Sequence, residues 1–153
     1  MPWFYSRMDF RRYACDVAVA GAWAAVLGGV PSTLYALATG GDALEATRAA
    51  GAMLVPADSP TATLVAAALV AHLAVNFGWT AILVAALPRR HVVAWAVAAA
   101  ILIAIIDLRI VATLFFPEVW ALAFGPQLAD HLAWGATLGV VLQRRFRYSV
   151  NAR

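Results

Sequence analysis

Long apolar runs dominate the chain, and four of them approach or exceed the length that a membrane-spanning helix needs. They cover residues 14–38, 61–87, 92–116 and 126–143, and a span takes about 20 residues. Helix is favoured over strand because an open sheet leaves backbone groups that lipid cannot satisfy. The pattern therefore predicts an all-α integral membrane four-helix bundle, formed by one domain over residues 1–153.

The connections between these runs also predict structure. Residues 42–51 offer Asp42 as a helix N-cap, Glu45 three residues later and Gly51 as a stop, which is typical of a short helix. We expect this helix to lie in the outer membrane interface after helix 1. The sequence around Gly29 and Pro31 predicts a kink in the first helix, because proline cannot continue the hydrogen-bond ladder. Residues 117–126 are too apolar for a free loop, so they are expected in the same interface.

Composition supports the membrane class and excludes two others. Hydrophobic residues make up 64% of the chain and charged residues 12%, against roughly 45–50% and about 25% in soluble domains. Disordered chains are poor in apolar residues, so disorder is excluded. The net charge of +3 is not gathered on a basic face of the kind that binds nucleic acid. We expect the lipid bilayer as a partner and no nucleic acid.

The arginines predict the orientation in the membrane. Nine of the eleven flank the two termini and the connection between the second and third runs. They are Arg7, Arg11, Arg12, Arg89, Arg90, Arg144, Arg145, Arg147 and Arg153. Because cytoplasmic loops carry the excess of basic residues, both termini are predicted to be cytoplasmic, and we expect a multi-pass protein of a bacterial inner membrane.

A competing interpretation concerns the first apolar run. Arg11 and Arg12, followed by this run and by the Ala-x-Ala pattern of residues 36–38, are also typical of a cleavable signal peptide. The run is longer than the apolar region of an ordinary signal peptide, so we predict a retained helix.

Small residues recur at helical spacing in the predicted spans. The first run carries Gly21, Ala25, Gly29 and Thr33, the second Ala74 and Gly78, and the third Ala96, Ala100 and Ala104. The fourth carries a GxxxG motif, Gly135 and Gly139. Such stripes allow close packing of helices in lipid. They predict a compact bundle, or a homo-oligomer formed through faces such as that of Gly135 and Gly139.

Polar side chains within the apolar runs are the strongest functional lead, because ionisable residues are costly in lipid. At about 1.5 Å per residue, four of them, from three helices, fall in one layer of the outer half, about 18–24 Å from the cytoplasmic ends. These are His72, Asp107, Asp130 and His131. Helical spacing lets their faces, with those of Asn76 and Gln127, converge toward Thr33. Arg109 lies on another face, where a pair with Asp130 or Glu118 is plausible.

This polar layer has several possible roles. An outward-facing pocket could bind or pass a small solute, an ion or a proton. The same side chains could instead hydrogen-bond the helices together, as polar residues in membranes commonly do, which would suit a structural accessory subunit. A divalent metal held by His72, Asp107, Asp130 and His131 is a further alternative, as is a haem ligated by His72 and His131. No catalytic motif is present, so an enzyme is not expected.

Three segments, residues 29–40, 46–51 and 126–131, resemble those of small, uncharacterised bacterial inner-membrane proteins with four transmembrane helices. The resemblance implies the four-helix architecture over most of the chain. It implies no activity.

Overall fold

The computed structural model of the chain describes residues 10–151, with side chains described for residues 10–147, and its regular elements are helical. The helices are α1 (Phe10–Gly28), α2 (Val30–Thr39), α3 (Glu45–Gly51), α4 (Thr61–Ala86), α5 (Val92–Ile105), α6 (Ala112–Phe115), α7 (Pro117–Trp120) and α8 (Phe124–Asn151). A π-helical segment, Ile106–Val111, connects α5 to α6. Arg7 and Arg153, used in the orientation argument, lie outside the described residues.

Three stretches of helix are long and apolar enough to cross a membrane. They are Phe10–Thr39, Thr61–Ala86 and Val92–Phe115, which correspond to the first three predicted runs. The membrane class is thereby supported, while α8 does not reach the same hydropathy. Its first half carries Asp130 and His131, and its last turns carry Arg144, Arg145 and Arg147.

The first predicted span is divided at Gly29, as the kink prediction anticipated. Gly29 separates α1 from α2, and Pro31 occupies the first turn of α2, where its missing N–H costs no hydrogen bond. The hydroxyl of Thr33 donates to the Gly29 carbonyl at 2.9 Å, so this side chain bonds locally at the start of α2. Gly40, with a φ of 71°, ends α2 in the left-handed conformation that glycine adopts most easily. We call the part of the molecule around Gly29, where α1 stops and α2 begins, the break end.

The helices pack in the order α4, α1, α8, α5. α8 lies between α1 and α5 and also contacts α2, whereas α4 packs on α1 and α3. Within the described residues, α4 and α5 share no extended packing although they are consecutive in the chain. The side chains of Leu138 and Leu142 in α8 are fully buried. The most polar long helix therefore takes the central position.

The GxxxG motif of α8 packs within the chain. A Cβ added to Gly135 would collide with Ala100, and one added to Gly139 would lie 2.7 Å from the Val93 Cα. Both glycines are buried against α5. This face is therefore not available to a second copy, and a homo-oligomer would need another surface than the one the sequence suggested.

The small residues of the first two spans also differ from the predicted stripes. In α1 the buried small residues are Ala20, Gly21, Ala24 and Gly28, whereas Gly29 and Thr33 are exposed. The break at Gly29 ends the regular spacing on which the predicted stripe depended. In α4, Ala74 and Gly78 are exposed, while Asn76 and Thr80 are buried.

The predicted surface helix is present but shorter, because α3 begins at Glu45 and not at Asp42. Asp42 accepts a hydrogen bond from the Leu44 N–H at 2.8 Å and forms an ion pair with Arg48, so it orders the turn before the helix. The Arg48 guanidinium holds the pKa of Asp42 below its ordinary value. Gly51 ends α3 against α4, where an added Cβ would collide with the Leu64 carbonyl.

Candidate functional site

Asp130 of α8 caps the start of α2. Its Oδ1 accepts a hydrogen bond from the backbone N–H of Ser32 at 2.8 Å. This N–H belongs to the first turn of α2, where no carbonyl of the same helix is available to it. A carboxylate there also gains from the positive end of the helix dipole. Asp130 therefore joins α8 to α2 immediately after the break.

His72 of α4 contacts the other side of the break. Its Nε2 lies 3.0 Å from the carbonyl oxygen of Ala25, in the last turn of α1. Because a carbonyl can accept but not donate, Nε2 carries the hydrogen in this contact. Side chains of α4 and α8 thus hold α1 and α2 on opposite sides of Gly29.

Asp107 and His131 face each other between the π-helical segment and α8. The His131 Nε2 lies 3.6 Å from the Asp107 Oδ2, and its Nδ1 lies 2.9 Å from the Gln127 carbonyl oxygen. Both side chains are partly buried, with 22% and 26% of their surface exposed. At 3.6 Å the contact is a charge interaction and not a hydrogen bond. π-Helical turns occur frequently at functional sites because they re-aim side chains.

These four residues are linked by sequence and by contacts. Asp130 and His131 are consecutive in α8, His131 faces Asp107, and Asp130 and His72 bond to the backbone on either side of Gly29. We call His72, Asp107, Asp130 and His131 the Asp130 cluster. It gathers side chains from α4, the π-helical segment and α8 at the break end of the molecule.

Asn76 lies one turn along α4 from His72 and acts as a structural link. Its Nδ2 donates to the Gly21 carbonyl at 3.1 Å, and its Oδ1 accepts from the Trp134 indole at 2.7 Å. Asn76 and Trp134 are both buried. One amide therefore connects α4, α1 and α8, but it does not take part in the Asp130 cluster.

Two other predicted site residues have different roles. Thr33 is exposed and bonds within its own segment, so the predicted convergence on this residue is wrong. Gln127 contributes its backbone carbonyl to His131, while the residue also lines a small cavity with Arg109. The Arg109 guanidinium lies over the rings of Trp120 and Phe124. It pairs with neither Asp130 nor Glu118 among the ion pairs of the described residues.

The described residues do not support a metal centre. No three His, Cys, Asp or Glu side chains in this part of the chain come close enough to hold an ion. The histidines proposed as haem ligands each direct a ring nitrogen at a backbone carbonyl, His72 at that of Ala25 and His131 at that of Gln127.

A second charged site, at the opposite end of α1 and α8, was missed from the sequence. Asp16 of α1 is buried and accepts a hydrogen bond from the Arg145 Nε. The Arg145 Nη2 lies 3.1 Å from the Cys15 sulfur. The available signal was an aspartate two residues inside an apolar run, since a buried carboxylate requires a cation. We call this contact the Asp16–Arg145 pair.

Comparison of the chain with models of protein families, with curated proteins and with solved structures finds no match. The functional argument therefore depends on the chain's own residues.

Proposed function

We propose that the protein is a multi-pass membrane protein that takes up and releases a proton at the Asp130 cluster. In this proposal it crosses a bacterial inner membrane four times, with both termini cytoplasmic. The cluster then lies in the outer half of the membrane and exchanges protons with the outer side.

One observation carries the proposal, namely the contacts of the two His131 ring nitrogens with the Gln127 carbonyl and the Asp107 carboxylate. The ring must carry a hydrogen on Nδ1, because that atom points at the Gln127 carbonyl at 2.9 Å. Nε2 then faces the Asp107 carboxylate at 3.6 Å. A neutral ring and an ionised carboxylate would direct two acceptors at each other. One additional proton, on either atom, removes that repulsion.

Histidine suits this role, because its ordinary charge change falls between pH 5 and 8. The charge of the added proton would also act on Asp130, which interacts with His131 and caps α2. Proton uptake at the pair is thereby linked to the break between α1 and α2 and to the π-helical segment. These are the two irregular points of the long helices, where a change of conformation costs the fewest hydrogen bonds.

Four spans are supported by the length and position of α8. Its 28 residues extend about 42 Å at 1.5 Å each, enough to cross the hydrocarbon core. Its polar side chains reach Ser32, Asp107 and Asp16 on neighbouring elements. Partners of this kind allow a helix too polar to span alone to lie inside a membrane.

The proton proposal can be tested by NMR of the protein labelled with 15N-histidine in lipid nanodiscs. The chain has three histidines, and single His→Gln variants assign their signals. We expect His131 to change its protonation state between pH 5 and 8, and Asp107→Asn to move that transition. His91, in the connection before α5, contacts Arg90 and serves as an internal control, because Asp107→Asn should leave its signals unchanged.

A His131 ring that keeps one protonation state throughout this range would overturn the proposal. So would a transition that Asp107→Asn leaves unmoved, because the ring would then titrate independently of the pair.

The orientation has its own test, with single cysteines in a Cys15→Ser background. Asp58→Cys lies before α4 and Arg90→Cys before α5, at opposite ends of α4. A membrane-impermeant maleimide should label the Asp58 position from outside intact cells and the Arg90 position only after lysis. The reverse labelling would invert the proposed topology.

A structural accessory subunit is a second candidate, favoured by the exposed apolar side chains of α5. Large apolar side chains are exposed along α5, among them Trp95 at 52% and Leu102 at 59%. In this alternative they contact a larger membrane complex. Stable co-purification of that complex through α5, lost on Trp95→Ala and Leu102→Ala, would favour it.

A further inference from the structure

The Arg109 side chain extends from the π-helical segment and packs against two aromatic rings. Its guanidinium carbon lies 4.1 Å from the centroid of the Phe124 ring and 5.5 Å from that of Trp120. Both contacts lie within the range of cation–π attraction. The rings hold the guanidinium in place, but they do not use its N–H donors in the plane of the group.

The charge of Arg109 has no carboxylate partner in the described residues. The ion pairs found there involve Asp42, Asp107 and Asp16, and Asp130 is bonded to Ser32. Arg109 is exposed, and it lies six residues before the end of α6 at Phe115. A cation at the end of a membrane span is stabilised by an anion.

A cavity of about 80 Å³ adjoins Arg109. Its lining combines this guanidinium and Gln127 with five apolar residues, Leu108, Val119, Trp120, Leu122 and Phe124. A water molecule occupies about 30 Å³ of liquid, so the cavity suits a group of a few heavy atoms. The arginine fork and an amide can both donate to the oxygens of a tetrahedral anion.

We propose that Arg109 and Gln127 bind a phosphate group. The group could belong to an anionic phospholipid headgroup or to free phosphate, since both present the same oxygens to a guanidinium. The surroundings favour the lipid. Ile101, Leu102 and Ile105 are 41%, 59% and 44% exposed and precede Arg109 toward the middle of the span, where they would contact acyl chains. This inference does not depend on proton binding at the Asp130 cluster.

The test is native mass spectrometry of the detergent-purified chain, titrated with phosphatidylglycerol. Arg109→Gln should weaken binding of the first lipid by about tenfold or more, because a charged hydrogen-bonding partner is lost. Arg48→Gln is the matched control, a partly exposed arginine whose charge already pairs with Asp42, and it should bind as the wild type does. Arg109→Lys keeps the charge without the fork and should give an intermediate loss.

A second titration with inorganic phosphate separates the two sources. Competition between inorganic phosphate and phosphatidylglycerol, with loss of both in Arg109→Gln, would identify free phosphate as a ligand. Binding of the lipid without competition identifies the headgroup. Equal lipid binding by the wild type, Arg109→Gln and Arg48→Gln would overturn the proposal. Helical circular dichroism checks that each variant is folded, and Arg109→Lys decides the matter if Arg109→Gln is not.

Discussion

The carboxylates at the two ends of the interface between α1–α2 and α8 have different kinds of partner. At one end the Asp16–Arg145 pair joins a buried carboxylate to an arginine. At the break end, Asp130 bonds to a backbone N–H, and Asp107 faces a histidine. Arginine keeps its charge at every physiological pH, whereas histidine does not.

The difference indicates different tasks for the two ends. The Asp16–Arg145 pair lies between regular turns of α1 and α8, so it is suited to fix their positions permanently. The Asp130 cluster lies where α1 stops and where the π-helical segment interrupts the third span. One end is thus expected to control stability, and the other to respond to pH.

Removal of the Asp16–Arg145 pair should give the largest loss of stability. Asp16→Asn removes the buried carboxylate from Arg145, whose side chain is 31% exposed, and a hydrogen bond to a charged group contributes about 1.5–3 kcal/mol. We expect the free energy of unfolding in mixed micelles to fall by this amount at every pH tested. Asp58→Asn, at an exposed position, is the control. Similar losses in the two variants would remove the proposed role of the Asp16 end.

Substitution of Asn76, which links the two ends, should give the next largest loss of stability. Asn76→Ala removes hydrogen bonds to α1 and α8 and leaves the buried Trp134 N–H without its acceptor. A loss of about 1–2 kcal/mol is expected, since membrane-embedded hydrogen bonds are individually modest. Trp134→Phe removes one of the two bonds and should cost less. A change that varied strongly with pH would place Asn76 in the Asp130 cluster after all.

A smaller effect of opposite sign is expected at Thr80. Its hydroxyl is fully buried and has no hydrogen-bond partner among the residues that the structure describes. It lies toward the Asp16 end, because the neighbouring Ala81 carbonyl accepts from Tyr13. Thr80→Val replaces the hydroxyl with a methyl group of similar size and should raise the unfolding free energy by about 1 kcal/mol.

Thr80→Ser is the control for that substitution. It keeps the hydroxyl and deletes the methyl group, so it should lower stability instead. If Thr80→Val were destabilising, the hydroxyl would have a partner that stabilises the fold.

The smallest change in stability is expected from Asp107→Asn, at most about 0.5 kcal/mol near pH 8, because partly exposed charge pairs contribute little. Its pH dependence should differ more clearly. The wild-type pair attracts while His131 is protonated and loses that attraction as pH rises, so stability should fall between pH 5.5 and 8. Asp107→Asn should flatten this curve, and the same slope in both proteins would refute the contrast between the two ends.

Much of the break end could be predicted from residue spacing. His72 and Asn76 lie four apart on α4 and both reach α1. The break follows from Gly29 and Pro31 in sequence, since proline interrupts the hydrogen-bond ladder of a helix. Spacing within one helix is local information, so it indicates which residues share a face but not which helix they contact.

The failures concern contacts between helices. The orientation of Thr33 depends on how α2 restarts after Gly29, which its sequence spacing from α1 cannot indicate. Gly135 and Gly139 suit α5 as well as a second copy, because any closely approaching helix satisfies a GxxxG motif. Asp16 escaped notice because its partner is 129 positions away. Such pairings depend on tertiary packing.

The central position of α8 has a consequence for how the chain enters a membrane. α8 is synthesised after α1, α4 and α5, and its Asp130, His131 and Arg145 are costly to insert alone. In the four-span proposal, α1, α4 and α5 are already in the bilayer when α8 arrives and present Asp107, Asp16 and the first N–H groups of α2. Insertion of α8 is then coupled to recognition of the earlier helices, so a chain with a misplaced α1 would fail when α8 inserts.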